Sequence, residues 1–351
     1  TDLITKENVM VALSNEGYIK RVSMKSYTSS NGDETTLKPG DYLKYLFEVS
    51  TLDNLVIFTN LGQYLYVPVH TIFEGKWKDL GKHINNLVTG LSESEYIVGA
   101  FILKNPDEKI TFVTKNGLVK QSILKDFVVS RYSKAMLAFK LKDNDEVIAV
   151  NQSKPRTVLI SEAGYYVNID TEEIPVVGAR ASGVRGMNLK DDVLAAGLSL
   201  DSSEYLSIFT NNKTAKRVKV SELETHNRAK KGSTLIKKVK SFDYKIIKAL
   251  LTDGKDELFL KCDNEITKIK NTDISILDLK STGGTISRYK IDDVFTSTVV
   301  DSSLKNNKDA NEEVKTLEEN TDKVVEEIQE SEIEEKKEEK PKEEQVSLND
   351  F

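Results

Sequence analysis

Short runs of apolar residues, interrupted by polar turns, recur through the first 300 residues. Val, Ile, Leu, Phe and Tyr dominate these runs, which is typical of short β-strands. Helical periodicity is nearly absent from this part of the chain. A strand–turn–strand pattern occurs six times; the copies begin VMVALSNEGYIKRVSM at Val9, NLVIFTNLGQYLYVPV at Asn54, KITFVTKNGLVKQSIL at Lys109, RTVLISEAGYYVNI at Arg156, YLSIFTNNKTAKRVKV at Tyr205 and ELFLKCDNEITKIKNT at Glu257.

The turns of the six copies follow one another at intervals of 45 to 55 residues. Four turns carry Gly where a tight hairpin needs a positive φ, and Lys213 and Asn264 occupy the same place in the last two. Each copy is followed by a polar loop and a second apolar run, most often preceded by Asp. The Asp pairs at 191–192 and 292–293 occupy equivalent places in the repeat, so we expect them to be structural rather than general acids or bases. The second runs start near Tyr42, Tyr96, Glu146, Val193, Tyr244 and Asp293, and the turn glycines are Gly17, Gly62, Gly117 and Gly164.

This period, with three to four strands in each unit, predicts an all-β six-bladed β-propeller over residues 1–300. Closure of a ring removes the long exposed edges that an open sheet would leave. Two packed β-sandwiches are the alternative, although six repeats in phase favour the propeller. Residues 301–351 carry 18 acidic and 8 basic residues. Such a composition buries little apolar surface, so it predicts a disordered acidic tail.

Candidate chemistry is sparse. One cysteine, Cys262, excludes an intrachain disulfide, and the three histidines are scattered over different copies without metal-ligand spacing. No glycine-rich phosphate loop precedes a helix. The sequence therefore predicts no catalytic site, no metal site and no cofactor in this chain. The single cysteine and the lack of an apolar run that could cross a bilayer favour a cytoplasmic protein with no membrane partner.

Positive charge is concentrated in the polar loops. Residues 1–300 carry 42 basic and 38 acidic residues, and 12 of the basic residues fall within 213–248. Because the loops occupy equivalent places in the repeat, we expect them to share one rim and to contact the phosphates of a bent DNA duplex. For any one loop, ordinary solvated surface is the alternative. The candidate DNA-binding residues are Lys78, Lys82, Arg131, Lys134, Arg180, Arg185, Lys216, Arg217, Arg228, Lys230, Lys231, Lys237, Lys238 and Arg288.

Several stretches resemble the C-terminal domain of the A subunit of bacterial type IIA topoisomerases, the gyrase and topoisomerase IV family. They are GYIKRVSMKSY at 17–27, GDYLKYLFEVSTLDNLVIFTNLGQYLYVPVH at 40–70, WKDLGKHINNLV at 77–88 and RASGVRGMNL at 180–189. The gyrase members carry a Gln-Arg-Arg-Gly-Gly-Lys-Gly box in the first loop. Here that loop reads YTSSNGDETTLKPG over 27–40, so the resemblance is nearer to the topoisomerase IV members.

The resemblance implies a β-pinwheel, a propeller variant whose blades exchange strands. It also implies binding and bending of the double-stranded DNA segment that the full enzyme transports during decatenation and relaxation. The full enzyme would be an A2B2 assembly, completed by the B subunit of topoisomerase IV, that uses ATP and Mg²⁺ through domains outside this chain. Two alternatives stay open: a gyrase-type wrapping domain with a degenerate box, and a propeller that binds protein partners.

Overall fold

The computed structural model describes residues 3–304. This part of the chain is almost entirely β-structure, with one short α-helix, α1 (Met24–Ser29), and 3-10 turns at Val69–Thr71, Ile84–Asn86, Leu124–Phe127, Thr171–Glu173, Val220–Glu222 and Asn271–Asp273. The strands are β1 (Asn8–Ser14), β2 (Tyr18–Ser23), β3 (Leu43–Ser50), β4 (Asn54–Thr59), β5 (Gln63–Pro68), β6 (Glu74–Gly75), β7 (Lys82–His83), β8 (Ile97–Ile102), β9 (Lys109–Thr114), β10 (Leu118–Ile123), β11 (Met136–Leu137), β12 (Val147–Gln152), β13 (Arg156–Ser161), β14 (Tyr165–Asp170), β15 (Val184–Arg185), β16 (Leu194–Ser199), β17 (Tyr205–Thr210), β18 (Thr214–Lys219), β19 (Ser233–Thr234), β20 (Ile246–Thr252), β21 (Glu257–Cys262), β22 (Glu265–Lys270), β23 (Gly284–Thr285), β24 (Asp293–Thr296) and β25 (Val300–Ser302).

Each repeat of the sequence forms the centre of one blade. The two strands of the hairpin pair with each other, and the second apolar run pairs with the first hairpin strand as the innermost strand of the blade. The outermost strand is exchanged: it comes from the segment that follows the hairpin of the next blade. The strand orders are β3-β1-β2 with β6 and β7, β8-β4-β5-β11, β12-β9-β10-β15, β16-β13-β14-β19, β20-β17-β18-β23 and β24-β21-β22.

The blade count differs from the prediction of six blades. Within residues 3–304, five blades are complete with four or more strands, whereas the sixth repeat forms only the three-stranded sheet β24-β21-β22. By the exchange pattern, its missing strand would come from residues 24–40. That segment instead begins with α1, and its Thr36 hydroxyl donates to the carbonyl of Lys78 in the first blade (2.5 Å). The all-β, propeller-like architecture is confirmed, with five complete blades.

Apolar side chains fill the spaces between neighbouring blades. Strands such as β4 and β13 read as nearly continuous buried runs because a blade packs against each of their faces. One core cluster joins the first two blades through Val11, Phe47 and Ile57. A second lies between the blades of β13 and β17 and includes Ile160 and Ile208. The hydrophobic effect therefore acts between blades and holds the repeats side by side.

The predicted turn chemistry is largely confirmed. The four turn glycines all have positive φ, and Lys213 adopts the same conformation with φ 62°. In the last copy the prediction of Asn264 was wrong, since Asp263 takes the positive φ there (55°). This hairpin is tighter, with Cys262 paired directly to Glu265.

The repeated acidic residues are structural, as predicted. One carboxylate oxygen of Asp145 accepts hydrogen bonds from the backbone N–H groups of Asn116 (2.9 Å) and Glu146 (2.8 Å). Asp41 makes the equivalent pair of bonds with Glu16 and Tyr42. These carboxylates join the hairpin turn to the start of the innermost strand.

The chain divides into two units, Thr1–Ser302 and Ser303–Phe351. The last strand of the first unit, β25, runs parallel to β3 and includes Asp301 and Ser302. These two residues, which the sequence analysis assigned to the tail, pair with the first blade. The prediction of disorder for the acidic tail lies outside the described residues from residue 305 onward.

Candidate nucleic-acid interface

The five exchanged strands lie in five longer stretches, which we name the donated segments: 74–89, 131–141, 178–189, 226–240 and 278–290. Each segment carries the outermost strand of a blade and so follows the outer perimeter of the propeller. Together they contain 17 Lys or Arg and three acidic residues. The perimeter is therefore much more basic than the rest of the described chain.

Successive donated segments are hydrogen-bonded to one another through their backbones. These bonds make the five segments one continuous path around the blades rather than five isolated loops. They run from Ala135 N to Thr89 O (2.9 Å), from Lys140 N to Ala181 O (3.2 Å), from Asn188 N to Lys230 O (2.9 Å) and from Lys237 N to Lys280 O (3.0 Å).

Most of the predicted DNA-binding side chains lie on this path. Arg228 is half-buried, and the others are exposed to solvent. Lys78 pairs with Asp33 at 3.1 Å, and the ammonium of Lys231 lies 4.5 Å from the centre of the Tyr165 ring. The exposed candidates are Lys78, Lys82, Arg131, Lys134, Arg180, Arg185, Lys230, Lys231, Lys237, Lys238 and Arg288.

Two hydrogen bonds fix the position of Arg228. Its guanidinium donates to the carbonyl oxygen of Arg185 at 2.7 Å, which joins the fourth donated segment to the third. Its backbone N–H donates to a carboxylate oxygen of Glu173 at 2.8 Å. Arg228 is thereby fixed beside the exposed Lys230 and Lys231, in the part of the path with the highest density of positive charge.

Gly232 is required by a close backbone approach. With φ +81°, it lies so near β14 that a Cβ atom would fall 1.8 Å from the carbonyl oxygen of Tyr166. Gly183 approaches the carbonyl of Val119 in the same way. These glycines let a donated segment lie against the second hairpin strand of its host blade.

Lys216 and Arg217, which we also predicted to bind DNA, do not lie on the exposed path. Both lie within β18 and are buried, with 1% and 7% of their surface exposed. The Lys216 ammonium donates to the carbonyls of Leu235 (2.5 Å) and Asp278 (2.9 Å). The sequence grouped these cations with the basic loops, but Lys216 lies beneath the donated segments. The Arg217 guanidinium instead donates to the carbonyl of Ile274 at 2.7 Å.

Sequence reasoning missed two further lysines of this kind. Lys20 and Lys120 occupy the place of Lys216, three residues after the turn glycine or its equivalent, in the first and third blades. The Lys120 ammonium donates to the carbonyls of Ala138 (2.6 Å) and Ala179 (3.0 Å), which belong to two successive donated segments. The alternate recurrence of Lys at this position was the available signal. These buried lysines fasten the donated segments to the blades.

Burial lowers the pKa of Lys20, Lys120 and Lys216 to about 8. In the unfolded chain each lysine titrates near 10.5, so between these values the unfolded state binds more protons than the folded state. We expect the free energy of unfolding to rise between pH 8 and 9.5, by up to about 1.4 kcal/mol per pH unit for each lysine. Urea unfolding at pH 7.5, 8.5 and 9.5 measures this slope.

The pH series stays below the range in which ionisation of buried tyrosines affects the free energy of unfolding. Burial raises the pKa of Tyr42 and Tyr45 above their usual value of 10, and those groups reduce stability as the pH rises beyond it. A Lys120→Met variant lacks one of the buried lysines that titrate in this range, so its slope should be shallower than that of the parent. Equal slopes in both proteins would contradict the assignment to these lysines.

Among residues 3–304, no group of three or more His, Cys, Asp and Glu side chains is arranged to hold a metal ion. His226 accepts a hydrogen bond from the backbone N–H of Asn168 (3.1 Å) and contacts the Ser233 hydroxyl (2.7 Å), and burial lowers its pKa. In the described part of the chain, no helix is both long and apolar enough to span a membrane.

Comparisons with known proteins agree with this architecture. The family model described as the DNA gyrase C-terminal domain, beta-propeller, matches residues 53–104, 108–154, 157–199 and 204–253. The A subunit of DNA topoisomerase 4 from Bacillus subtilis (strain 168) is 37% identical over 260 residues, which cover 73% of this chain and 32% of that protein. Its counterpart from Staphylococcus aureus (strain MRSA252) is 33% identical over 257 residues, covering 72% of this chain and 32% of that protein. The chain thus spans about a third of the length of these relatives.

Two solved structures have a similar fold. The crystal structure of the C-terminal domain of DNA topoisomerase IV superimposes with a TM-score of 0.80 at 32% identity, covering 84% of this chain and 95% of that one. A DNA gyrase A C-terminal domain, at 22% identity and a TM-score of 0.60, shares the fold; it covers 84% of this chain and 100% of that one. Since the family model matches more than half of the residues, the chain belongs to the DNA gyrase C-terminal domain family of β-propellers.

Proposed function

We propose that this chain is the DNA-binding and DNA-bending domain of the A subunit of a topoisomerase IV. The observation that carries the proposal is the continuous basic path formed by the hydrogen-bonded donated segments. Its exposed ammonium and guanidinium groups suit the phosphates of a duplex, and neutralising phosphates releases condensed counterions. Binding of this kind is insensitive to base sequence.

The shape of the path favours a bent duplex. The donated segments belong to five successive blades, so the basic groups follow the curve of the perimeter. A straight duplex would touch only part of such a path. Bending 20 to 30 base pairs costs about 1–6 kcal/mol, which several phosphate contacts offset. In residues 3–304 the single α-helix has six residues, and no recognition helix supports base readout.

Two observations support topoisomerase IV over gyrase. Residues 27–40 lack the basic, glycine-rich gyrase box, and the threonines of this loop bond to the backbone of the first blade. The relatives named above are A subunits of topoisomerase 4. In this role the domain presents the transported DNA segment for decatenation and relaxation in the cytoplasm. The B subunit, ATP and Mg²⁺ would act through the remainder of an A2B2 enzyme, and we expect the catalytic groups to lie there as well.

The proposal is tested by salt-titrated binding of the chain to a 30-base-pair duplex labelled at both ends. If each donated segment neutralises at least one phosphate, log Kd should rise with log salt with a slope of about 4.5 or more. Energy transfer between the two ends should increase on binding, since bending brings them together. Salt-insensitive binding would contradict the proposal, and so would binding that leaves the end-to-end distance unchanged.

A further inference from the structure

A cavity of about 420 Å³ lies on the propeller axis, away from the donated segments. Its wall consists of the innermost strands β3, β8, β12, β16 and β20. Ligand sites in proteins commonly have volumes of roughly 300–1,000 Å³ and mostly apolar walls with a few polar groups. The axial cavity has this size and this composition, but it is too small to admit a DNA duplex.

The wall has an apolar side and a cationic side. Each of these innermost strands contains a β-bulge at the same level, which leaves one residue unpaired. In the second, third and fourth blades the bulged residues are Val98, Ile148 and Ala195. In the first blade the bulged residue is Lys44, and in the fifth blade Lys248 lies next to the bulge. A bulge redirects a side chain, and here it brings positive charge to the cavity.

One carboxylate lies beside this cationic side. The Lys248 ammonium pairs with Asp293 at 3.0 Å, and Asp293 also accepts a hydrogen bond from the Tyr42 hydroxyl at 2.8 Å. Lys44 donates to the backbone carbonyl of Ile97 at 3.2 Å, which supplies no negative charge. Among the described residues that line the cavity, none is acidic. The cavity therefore carries an unbalanced positive charge in an apolar wall.

We propose that the axial cavity binds a small organic anion with an apolar body. Its carboxylate head would lie between Lys44 and Lys248, and its hydrocarbon part would pack on Val98, Ile148 and Ala195. A buried charge is stabilised when a counter-charge and a hydrogen-bond partner are supplied together. This site is separate from the perimeter, so it stands independently of the DNA-binding proposal.

The test is calorimetric titration of the whole chain with octanoate, below its micelle concentration, and with octanol and inorganic phosphate as separate probes. Octanoate should bind with one-to-one stoichiometry, and both other probes should bind more weakly. Burial and the neighbouring Lys248 lower the pKa of Lys44 to about 8. A bound carboxylate raises it, so at pH 8 binding should take up about half a proton. Titrations in buffers of different ionisation enthalpy measure that uptake.

Lys44→Met should weaken octanoate binding by about tenfold or more, because a hydrogen bond between charged groups is lost, and should abolish the proton uptake. Lys44→Arg should retain binding, and Lys125→Met, which removes an exposed ammonium elsewhere, should change neither quantity. Circular dichroism of each variant verifies the fold. Absence of octanoate binding to the parent chain would overturn the proposal, as would equal affinity or undiminished proton uptake in Lys44→Met.

Discussion

Replacing Lys230, Lys231 and Lys238 together with alanine is expected to weaken duplex binding on the order of 10²- to 10³-fold at 0.1 M salt. All three side chains are exposed on the fourth donated segment, where the positive charge is densest. If each neutralises one phosphate, the dependence of log Kd on log salt should flatten by about 2.7. Fluorescence anisotropy with a labelled duplex at several salt concentrations measures both quantities.

The matched control removes the same charge from the opposite end of the blades. Lys109, Lys125 and Lys219 are exposed. The strand registers place Lys109 and Lys219 at the hairpin ends away from the turns and the exchanged strands, and Lys125 lies in the 3-10 turn that follows β10. Their replacement by alanine should leave the salt slope within about one unit of the parent value, since they contact no phosphate on the path. If both triple variants lose affinity equally, net charge rather than the basic path governs binding.

Replacing Gly232 with alanine is expected to lower the free energy of unfolding by roughly 2–4 kcal/mol. Its Cβ would fall 1.8 Å from the backbone oxygen of Tyr166, and its φ of +81° is unfavourable for any other residue. The donated strand β19 must therefore move away from β14, which breaks the pairing of Ser233 with Tyr166. Urea denaturation measures the loss of stability.

Gly284→Ala is the control for this effect. Gly284 lies in β23, the equivalent donated strand of the fifth blade, and a Cβ there would meet nothing within 4 Å. Its replacement should change stability by less than about 0.5 kcal/mol. Gly232→Ala should also weaken DNA binding, since Arg228, Lys230 and Lys231 would be displaced with the strand. Wild-type stability in the Gly232 variant would show that the segment has room to shift.

Repeat analysis predicted the strands well, because hairpins and turns are determined by local residues. The hydroxyl of Thr114, for example, accepts a hydrogen bond from Leu118 N at 3.0 Å across a turn that also needs Gly117. Strand exchange was implied only by the family resemblance. The pairing of Val184 with Val119 joins residues that are 65 positions apart in the chain, and no local sequence pattern predicts it.

Most of the basic residues singled out from the sequence lie on the exposed path, whereas Lys216 and Arg217 are buried. A count of charged residues does not distinguish a cation in a loop from a cation in a strand. Lys230 is exposed, whereas Lys216 is covered by Leu235 and Asp278. The direction in which a strand residue points depends on the pleat and on which segment covers it. Within residues 3–304 the last blade has three strands, and this too could not be predicted from local patterns. It depends on where residues 24–40 pack.

By itself, the sequence determined the all-β class, the six repeats, the turn conformations of the first five hairpins and the excess of positive charge in the loops, because each of these depends on neighbouring residues and on composition. Only the tertiary structure decided the exchange of strands, the joining of five segments into one path, the burial of Lys20, Lys120 and Lys216, and the cationic side of the axial cavity. These features arise where segments distant along the chain meet. Their positions are set by the packing of one blade on the next, which no local pattern encodes.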